Sequence, residues 1–484
     1  MAAPAFDSVT AASVWGTALA YIAPRALQQL TIPQMTIWGL NGLAALDPDL
    51  STSLVNNQIT LNGPEQMILA VPAPGPDDAM AWGKAAAQVA SAAYAVSPAL
   101  QQAGTQGVIS SFFDELFNHF DPYSRYEPPL QAAQDQLLIT GLASAGVSFA
   151  QQGDEVVIGS VAAGGPAENA GLSVGTQVLQ VDGRPVYPGE ITHLNNSMSG
   201  IYGTPTTLQL QDPAGSGVPQ NVTITRAFIP PQTVFAEPSP APGVLALKIS
   251  GFNKGTGNQF SSALATAMGA QPAPDGLLLD LRGNRGGILR QAILVADSLL
   301  QSGEIVQTAG RDPDADQSVE AEGSDLTGGL RIVVLVDGQT ASAAEILAAS
   351  LADNRRAVVV GSETLGKGLV QTVTTLPDGG ELFVTWSRVL APLGWPLQGL
   401  GVMPQVCTSL GPSGLQTQLS ALAKGKNLMA PALTQARATR AGASVDDILS
   451  VRDACPADTG SDEDFAAAGY LFNNLKAYQA ALLP

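Results

Sequence analysis

At 484 residues the chain is long enough for about three domains. Hydrophobic residues make up 45% and charged residues only 13%, with 22 Lys and Arg against 41 Asp and Glu, a formal net charge of −19. Such acidity repels phosphate backbones and argues against a nucleic-acid partner, and 2 His with 2 Cys argue against zinc fingers, iron–sulfur clusters and disulfide scaffolds.

No apolar run reaches the roughly 20 residues of a membrane span. Residues 8–24 carry no charge but are interrupted by Thr, Ser and Gly, and no basic leader precedes them. They do not read as a signal peptide. The start, Met1-Ala2-Ala3-Pro4-Ala5, is compatible with an initiator set just after a removed signal.

Residues 1–125 read as a mostly helical region, with helical spacing at 84–97 and 105–120 and a more extended stretch at 52–76. A turn-rich exit follows at 120–126. Residues 136–228 change to short β-type runs at 146–149, 155–158, 177–181, 206–210 and 222–225, separated by turns such as Asp182-Gly183, which indicates a small β domain. The Pro-rich stretch 230–243 reads as a linker or a sheet edge.

Residues 229–410 alternate strands and helices. The runs 277–281, 332–336 and 357–360 are apolar enough for strands covered on both faces, with helices expected at about 288–301 and 342–353. A hairpin is expected over 370–390, turning at Pro377-Asp378-Gly379-Gly380. Residues 411–484 read as helical with an acidic break at Asp462-Glu463-Asp464. A second acidic stretch at 312–325 reads as a solvated loop.

Three segments carry candidate chemistry. Gly361 to Lys367 fits the spacing of a phosphate-binding loop, but Gly368 stands where Ser or Thr is needed, and a strand pattern follows where a helix is needed. Nucleotide binding is therefore disfavoured. Lys367 sits between two glycines that permit close backbone approach. It is either a surface lysine or a desolvated amine whose lowered pKa makes it a base. Ser342 and Glu345 match the S-x-x-E capping box, so Ser342 either caps a helix or is a nucleophile presented at a strand-to-helix corner. Neither His119 nor His193 is placed to serve it, and both read as surface or partly packed residues. A neutral Lys367 would be its base, with Gln371 orienting the amine. The Asp280-Leu281-Arg282-Gly283-Asn284-Arg285-Gly286-Gly287 loop offers backbone N–H groups to an anion.

In chain order these segments resemble the carboxyl-terminal processing proteases, PDZ-bearing serine peptidases, over roughly residues 115–410. The resemblance rests on 120–126, on Ser160 to Leu172 with Val181 to Val186, on Asp280-Leu281-Arg282 with Gly286-Gly287, on Thr340 to Ile346, and on Thr364 to Gly368 with Gln371. It implies a multidomain α/β protein: a crotonase-like (ClpP-like) protease core, a PDZ β domain and an N-terminal helical region. It implies Ser342 as nucleophile, Lys367 as general base, Gln371 as its orienter, and backbone N–H of Ala343 and Gly287 as oxyanion hole. The PDZ domain would hold a protein C-terminus, with Gly146, Val147, Ser148 and Phe149 as carboxylate loop. No metal or cofactor is implied. The expected function is a serine endopeptidase acting on C-terminal regions in a periplasmic or envelope setting, as a homo-oligomer or with an activating adaptor. The alternative is a catalytically silent binding protein of the same fold. Thr176, Leu365 and Arg285 depart from the family pattern. Cys407 and Cys455 either form one disulfide joining the C-terminal helices to the core or remain two thiols.

Overall fold

The computed structural model describes residues 5–140, 142–162, 164–211, 218–323 and 325–482. The initiator reading at Met1 to Pro4 lies outside the described residues. The chain forms two compact units. One comprises residues 1–135, 308–317 and 369–389, the other residues 136–307, 318–368 and 390–484.

The first unit is built on the expected helices. Ser8–Arg25 starts at Asp7, whose carboxylate accepts from the N–H groups of Val9 and Thr10. It packs closely on Ala79–Val96, because a Cβ at Gly83 would lie 2.4 Å from the Gly16 nitrogen. Pro98–Phe117 adds Phe112 and Phe113 to the buried cluster around Trp15 and Trp82. The extended stretch is a three-stranded sheet, Ser51–Val55, Gln58–Asn62 and Met67–Pro72. The hairpin of Leu369–Thr375 with Glu381–Leu390 forms as the turn residues predict, and Arg125–Glu127 pairs with its second strand. His119 is exposed and stacks its ring on Trp38.

The second unit holds the small β domain and the α/β core. The β domain orders its strands as 220–225, 205–211, 177–181, 155–161 and 147–152, so Val147–Gln152 is an edge. Helix Ile191–Met198 lies along that edge. The core sheet runs β1 (Val234–Ala236), β2 (Val244–Ile249), β3 (Gly276–Asp280), β4 (Arg331–Val336), β5 (Ala357–Gly361) and β6 (Val406–Cys407), in that spatial order. β1 is antiparallel to β2, and every later pairing is parallel. The Pro-rich stretch thus supplies the edge strand. The central strands are buried along their length, as parallel strands covered on both faces must be. Each such Leu or Val contributes about 1.5–3 kcal/mol of transfer free energy.

Helices α1 (Thr256–Met268), α2 (Leu289–Asp297) and α3 (Ala343–Asp353) follow β2, β3 and β4. Five further helices follow the core sheet in the chain: α4 (Gly411–Ala423), α5 (Ala430–Ala438), α6 (Val445–Arg452), α7 (Asp462–Asn473) and α8 (Leu475–Ala481). Leu278, Val333, Leu335, Val358 and Val360 bury against Leu415, Leu419, Leu471, Phe472 and Tyr478 of this C-terminal set. One expectation is corrected here. Asp462-Glu463-Asp464 is not a break but the first turn of α7, capped by Ser461, where the helix dipole favours negative charge. Cys407 and Cys455 form a disulfide joining β6 to the segment after α6.

Candidate active site

Three loops leave the carboxyl ends of the adjacent parallel strands β3, β4 and β5. In an open α/β sheet that is where loops converge on a ligand. The first is the glycine loop after Asp280. Asn284 is fully buried and organises it: its Nδ2 donates to Ile249 O at 2.8 Å, its Oδ1 accepts from Gly286 N–H at 2.8 Å, and its carbonyl accepts from Ala341 N–H at 2.9 Å. The second is the turn after Val336. Asp337 accepts from the N–H groups of Gly283 and Thr340, and Thr340 Oγ1 donates to Leu281 O. Glycine and serine loops are thus stitched together before α3 begins.

Ser342 sits at φ 57° and ψ −119°, a conformation that costs an L-residue strain and persists only where its surroundings impose it. The glycine loop reaches it directly. A Cβ on Gly286 would lie 2.8 Å from Ser342 Cβ and 2.9 Å from the Ala343 nitrogen, and Gly286 itself has φ 91°. No side chain fits there. Gly287, at φ 138°, is bridged to Phe252 through the bonds Phe252 N–H to Gly286 O and Ile288 N–H to Phe252 O. Among the described residues the N–H groups of Ala343 and Gly287 donate to no protein acceptor, whereas the neighbouring Ser342, Ala344, Gly286 and Ile288 amides all do.

The third loop carries Lys367, and one carboxylate ties it to the serine. Glu345 is fully buried in the first turn of α3. Its Oε2 accepts from Ser342 N–H at 2.7 Å and from Lys367 N–H at 2.9 Å. Its Oε1 accepts from Gly366 N–H at 2.7 Å and Thr364 Oγ1 at 2.5 Å. The backbones of Ser342 and Lys367 are therefore neighbours through a single oxygen. Burial pushes the Glu345 carboxyl above its ordinary range, and these four donors pull it back. Burial outweighs the donors, so the net shift is upward, while the four bonds fix where both oxygens lie. The capping box read from the sequence is present, and it coexists with the strained serine rather than excluding a second role.

The lysine loop is held from outside as well. Gly399 N–H donates to Gly366 O, and Gly368 N–H donates to Gln398 Oε1. Arg452, the last residue of α6, donates to the carbonyls of Thr364, Gly399 and Leu400. Beside it lies Glu363, fully buried, with no hydrogen-bond partner for either oxygen among the described residues. Its carboxyl is pushed up to about 8, with burial the main cause; Arg452 lowers it, Glu345 raises it and Arg437 lowers it. A strand, Leu369–Thr375, follows Gly368 as expected, so the contextual test for a nucleotide loop fails in the fold too.

Gln371 belongs to the other unit, four residues along the chain from Lys367. Its Nε2 donates to Thr385 Oγ1 at 3.0 Å and Leu369 O, and Thr385 Oγ1 in turn donates to Asp121 Oδ1 at 2.7 Å. The amide nitrogen is thereby pinned within its unit. Sequence reasoning missed Glu345 beyond its cap, and missed Asn284, Asp121, Thr385 and Arg452. For Glu345 a signal existed: the residues that follow it, Ile346 to Ala349, are apolar, so a carboxylate there enters the interior.

In the β domain Gly146 has φ 78°, its N–H donates to Ser144 Oγ, and its carbonyl accepts from Ala162 N–H. Val147 and Phe149 are buried in the domain core, and Ser148 Oγ bonds Ser160 Oγ.

The sequence model of peptidase family S41 matches residues 243–408, and that of the PDZ domain matches residues 136–196. The carboxy-terminal-processing protease of Bartonella bacilliformis is 31% identical over 304 residues, covering 62% of this chain and 69% of its own length. The carboxyl-terminal-processing protease of Synechocystis is 34% identical over 290 residues, covering 59% and 67%. A solved structure, the photosystem II D1 C-terminal processing protease, aligns over 79% of this chain and 97% of its own at 25% identity, with a TM-score of 0.38.

Proposed function

We propose that Ser342 and Lys367 perform the chemistry of this chain, which belongs to the carboxyl-terminal processing protease family of PDZ-bearing serine peptidases. Ser342 Oγ attacks the scissile carbonyl while neutral Lys367 Nζ takes its proton. The tetrahedral oxyanion is received by the N–H groups of Ala343 and Gly287. Collapse of that intermediate breaks the C–N bond, and Lys367 returns the proton to the departing amine. Water, with its proton taken by the same lysine, then attacks the acyl ester, and as the ester C–O bond breaks the lysine passes that proton to Ser342 Oγ. Gln371 orients the lysine amine through its side-chain oxygen. The observation that carries this reading is the Glu345 oxygen shared by the Ser342 and Lys367 amides.

In this reading residues 136–228 capture the substrate, residues 229–410 cut it, and 1–125 and 411–484 are the helical flanks. The Gly146–Phe149 segment receives the carboxylate of a substrate tail that adds along the edge strand. The Cys407–Cys455 disulfide favours an oxidising compartment such as a bacterial periplasm, and no helix among the described residues is long and apolar enough to cross a membrane.

The test is cleavage of an unstructured protein by the parent beside Ser342→Ala and Lys367→Ala. Loss of about 10³- to 10⁶-fold in both variants is expected. A Lys367→Ala enzyme as active as the parent would sink the assignment.

A further inference from the structure

The peptide-docking edge of the PDZ domain is already engaged by a side chain of its own helix. Val147–Gln152 pairs on one side only, with Glu155–Val161. Within that pair Phe149 stands opposite Ile158. Ile158 turns its N–H to Thr176 O and its carbonyl to Gly175 N–H, both away from Phe149. The two residues thus form a non-hydrogen-bonded pair, and Phe149 must aim its own N–H and carbonyl at the free edge. An added strand would find its ladder there. Instead Asn195, on the helix Ile191–Met198, meets both groups. Phe149 N–H donates to Asn195 Oδ1 at 2.7 Å, and Asn195 Nδ2 donates to Phe149 O at 3.3 Å. A primary amide offers one acceptor and one donor side by side, as the carbonyl and N–H of an extended backbone do.

We propose that Asn195 is an intramolecular stand-in for the backbone of a substrate tail, and that a tail docks by displacing it. This rests on the reading of the edge as the tail-binding site. Asn195 is anchored only through its own helix position, is half-buried, and carries no charge, so its exchange for a peptide leaves no buried ion behind. The two bonds it gives up are returned by the peptide, and the net gain in docking comes from the carboxylate and the side chains of the tail. The arrangement makes Asn195 a specificity-determining residue. Segments that merely present a backbone exchange like for like, whereas those with a terminal carboxylate and fitting side chains displace the amide.

The experiment uses the full chain with Ser342→Ala, so that nothing is cut. The probe is a pool of fluorescein-labelled decapeptides with apolar last residues and a free carboxylate, beside the same pool as C-terminal amides. Adding Asn195→Ala is expected to tighten binding of the free-acid pool by about 3- to 10-fold, the worth of one ordinary hydrogen bond no longer to be displaced. Asn195→Asp keeps an acceptor for Phe149 N–H and removes the donor to its carbonyl, so it tests the pair without emptying the position. Its binding is expected to be no tighter than that of Asn195→Ala, because its negative charge opposes the incoming carboxylate. Equal or weaker binding by Asn195→Ala, with discrimination between acid and amide intact, overturns the stand-in while leaving the docking edge standing. Binding of acid and amide pools alike by every variant overturns the docking edge itself, and this inference with it.

Discussion

The loops at the carboxyl ends of β3, β4 and β5 and the outer edge of the PDZ sheet treat backbone polarity in opposite ways. Among the loops, nearly every amide is bonded within the protein, and the bonds run to groups sealed from water: Asn284, Asp337 and Glu345. Among the described residues, the amides without a protein acceptor include those of Ala343 and Gly287, beside the strained Ser342. At the PDZ edge the partner of Phe149 is a neutral, half-buried side chain, Asn195. Charge and depth separate the two cases. Releasing a buried carboxylate exposes it to an uncompensated interior, whereas releasing an amide exchanges one ordinary bond for another. In the proposed reading, the loops that carry catalysis are therefore built to stay in place, and the docking edge is built to change partners.

The strongest attempt to break this contrast is at Glu345. Glu345→Gln puts an NH₂ group where two N–H donors converge, so at least one donor pair must part. Activity on an unstructured substrate is expected to fall by about 100-fold, because a displacement of the order of 1 Å between nucleophile and base suffices for that. Melting is expected to drop by several degrees in the same variant. Parent-like kcat with parent-like melting would show that the shared oxygen positions nothing.

Arg452→Ala is the next largest. It removes three donors to Thr364, Gly399 and Leu400 carbonyls while leaving Glu345 untouched. A fall of about 10-fold in kcat with KM changed less than twofold is expected, since the substrate does not meet Arg452. Arg452→Lys keeps the charge but cannot span all three carbonyls, and should recover only part of the loss. A change confined to KM would move Arg452 from the lysine loop to the substrate path.

The smallest effect is the pH response of Glu363. Burial holds its carboxyl at about 8, against a value near 4.5 when exposed, with Arg452, Arg437 and Glu345 as the charges around it. Across that window the folded chain keeps a proton that the unfolded chain releases, so this group makes stability fall as pH rises from about 4.5 to 8. Glu363→Gln removes the response. The variant should melt about 5 °C above the parent at pH 8.5 and level with it at pH 4.5, measured by thermal unfolding across pH. A constant gap at all pH values would mean that Glu363 does not titrate in that window.

Much of the architecture was legible in local pattern. Apolar runs at 277–281, 332–336 and 357–360 announced the covered parallel strands, and the five short β runs of the PDZ domain fell within a few residues of the observed ones. Ser342 and Lys367 stood out because each follows a strand pattern among small residues, but that pattern alone left a helix cap and a surface lysine as open readings, and only the ordered motifs pointed to a catalytic pair. What escaped were partners distant in sequence. S-x-x-E is the same four-residue pattern whether its carboxylate only closes a helix or also receives Lys367, 22 residues on. Arg452 ends a short helix of mixed polarity, and nothing near it in sequence identifies the carbonyls it meets. The hairpin 369–390 follows the core strands in the chain, yet Thr372 bonds Tyr21 and Thr385 bonds Asp121. A hairpin's own alternation does not encode which body receives it. The acidic run 462–464 misled because charge density suggests solvent, whereas Asp464 is buried against Arg282 and Thr408.

The shared Glu345 oxygen also constrains how the enzyme can be idle. If Ser342 and Lys367 act as proposed, drawing the Gly366–Lys367 backbone off the Ser342 turn would strip two backbone donors from a carboxyl group deep in the interior, so that join holds and the lysine stem is the part left to vary.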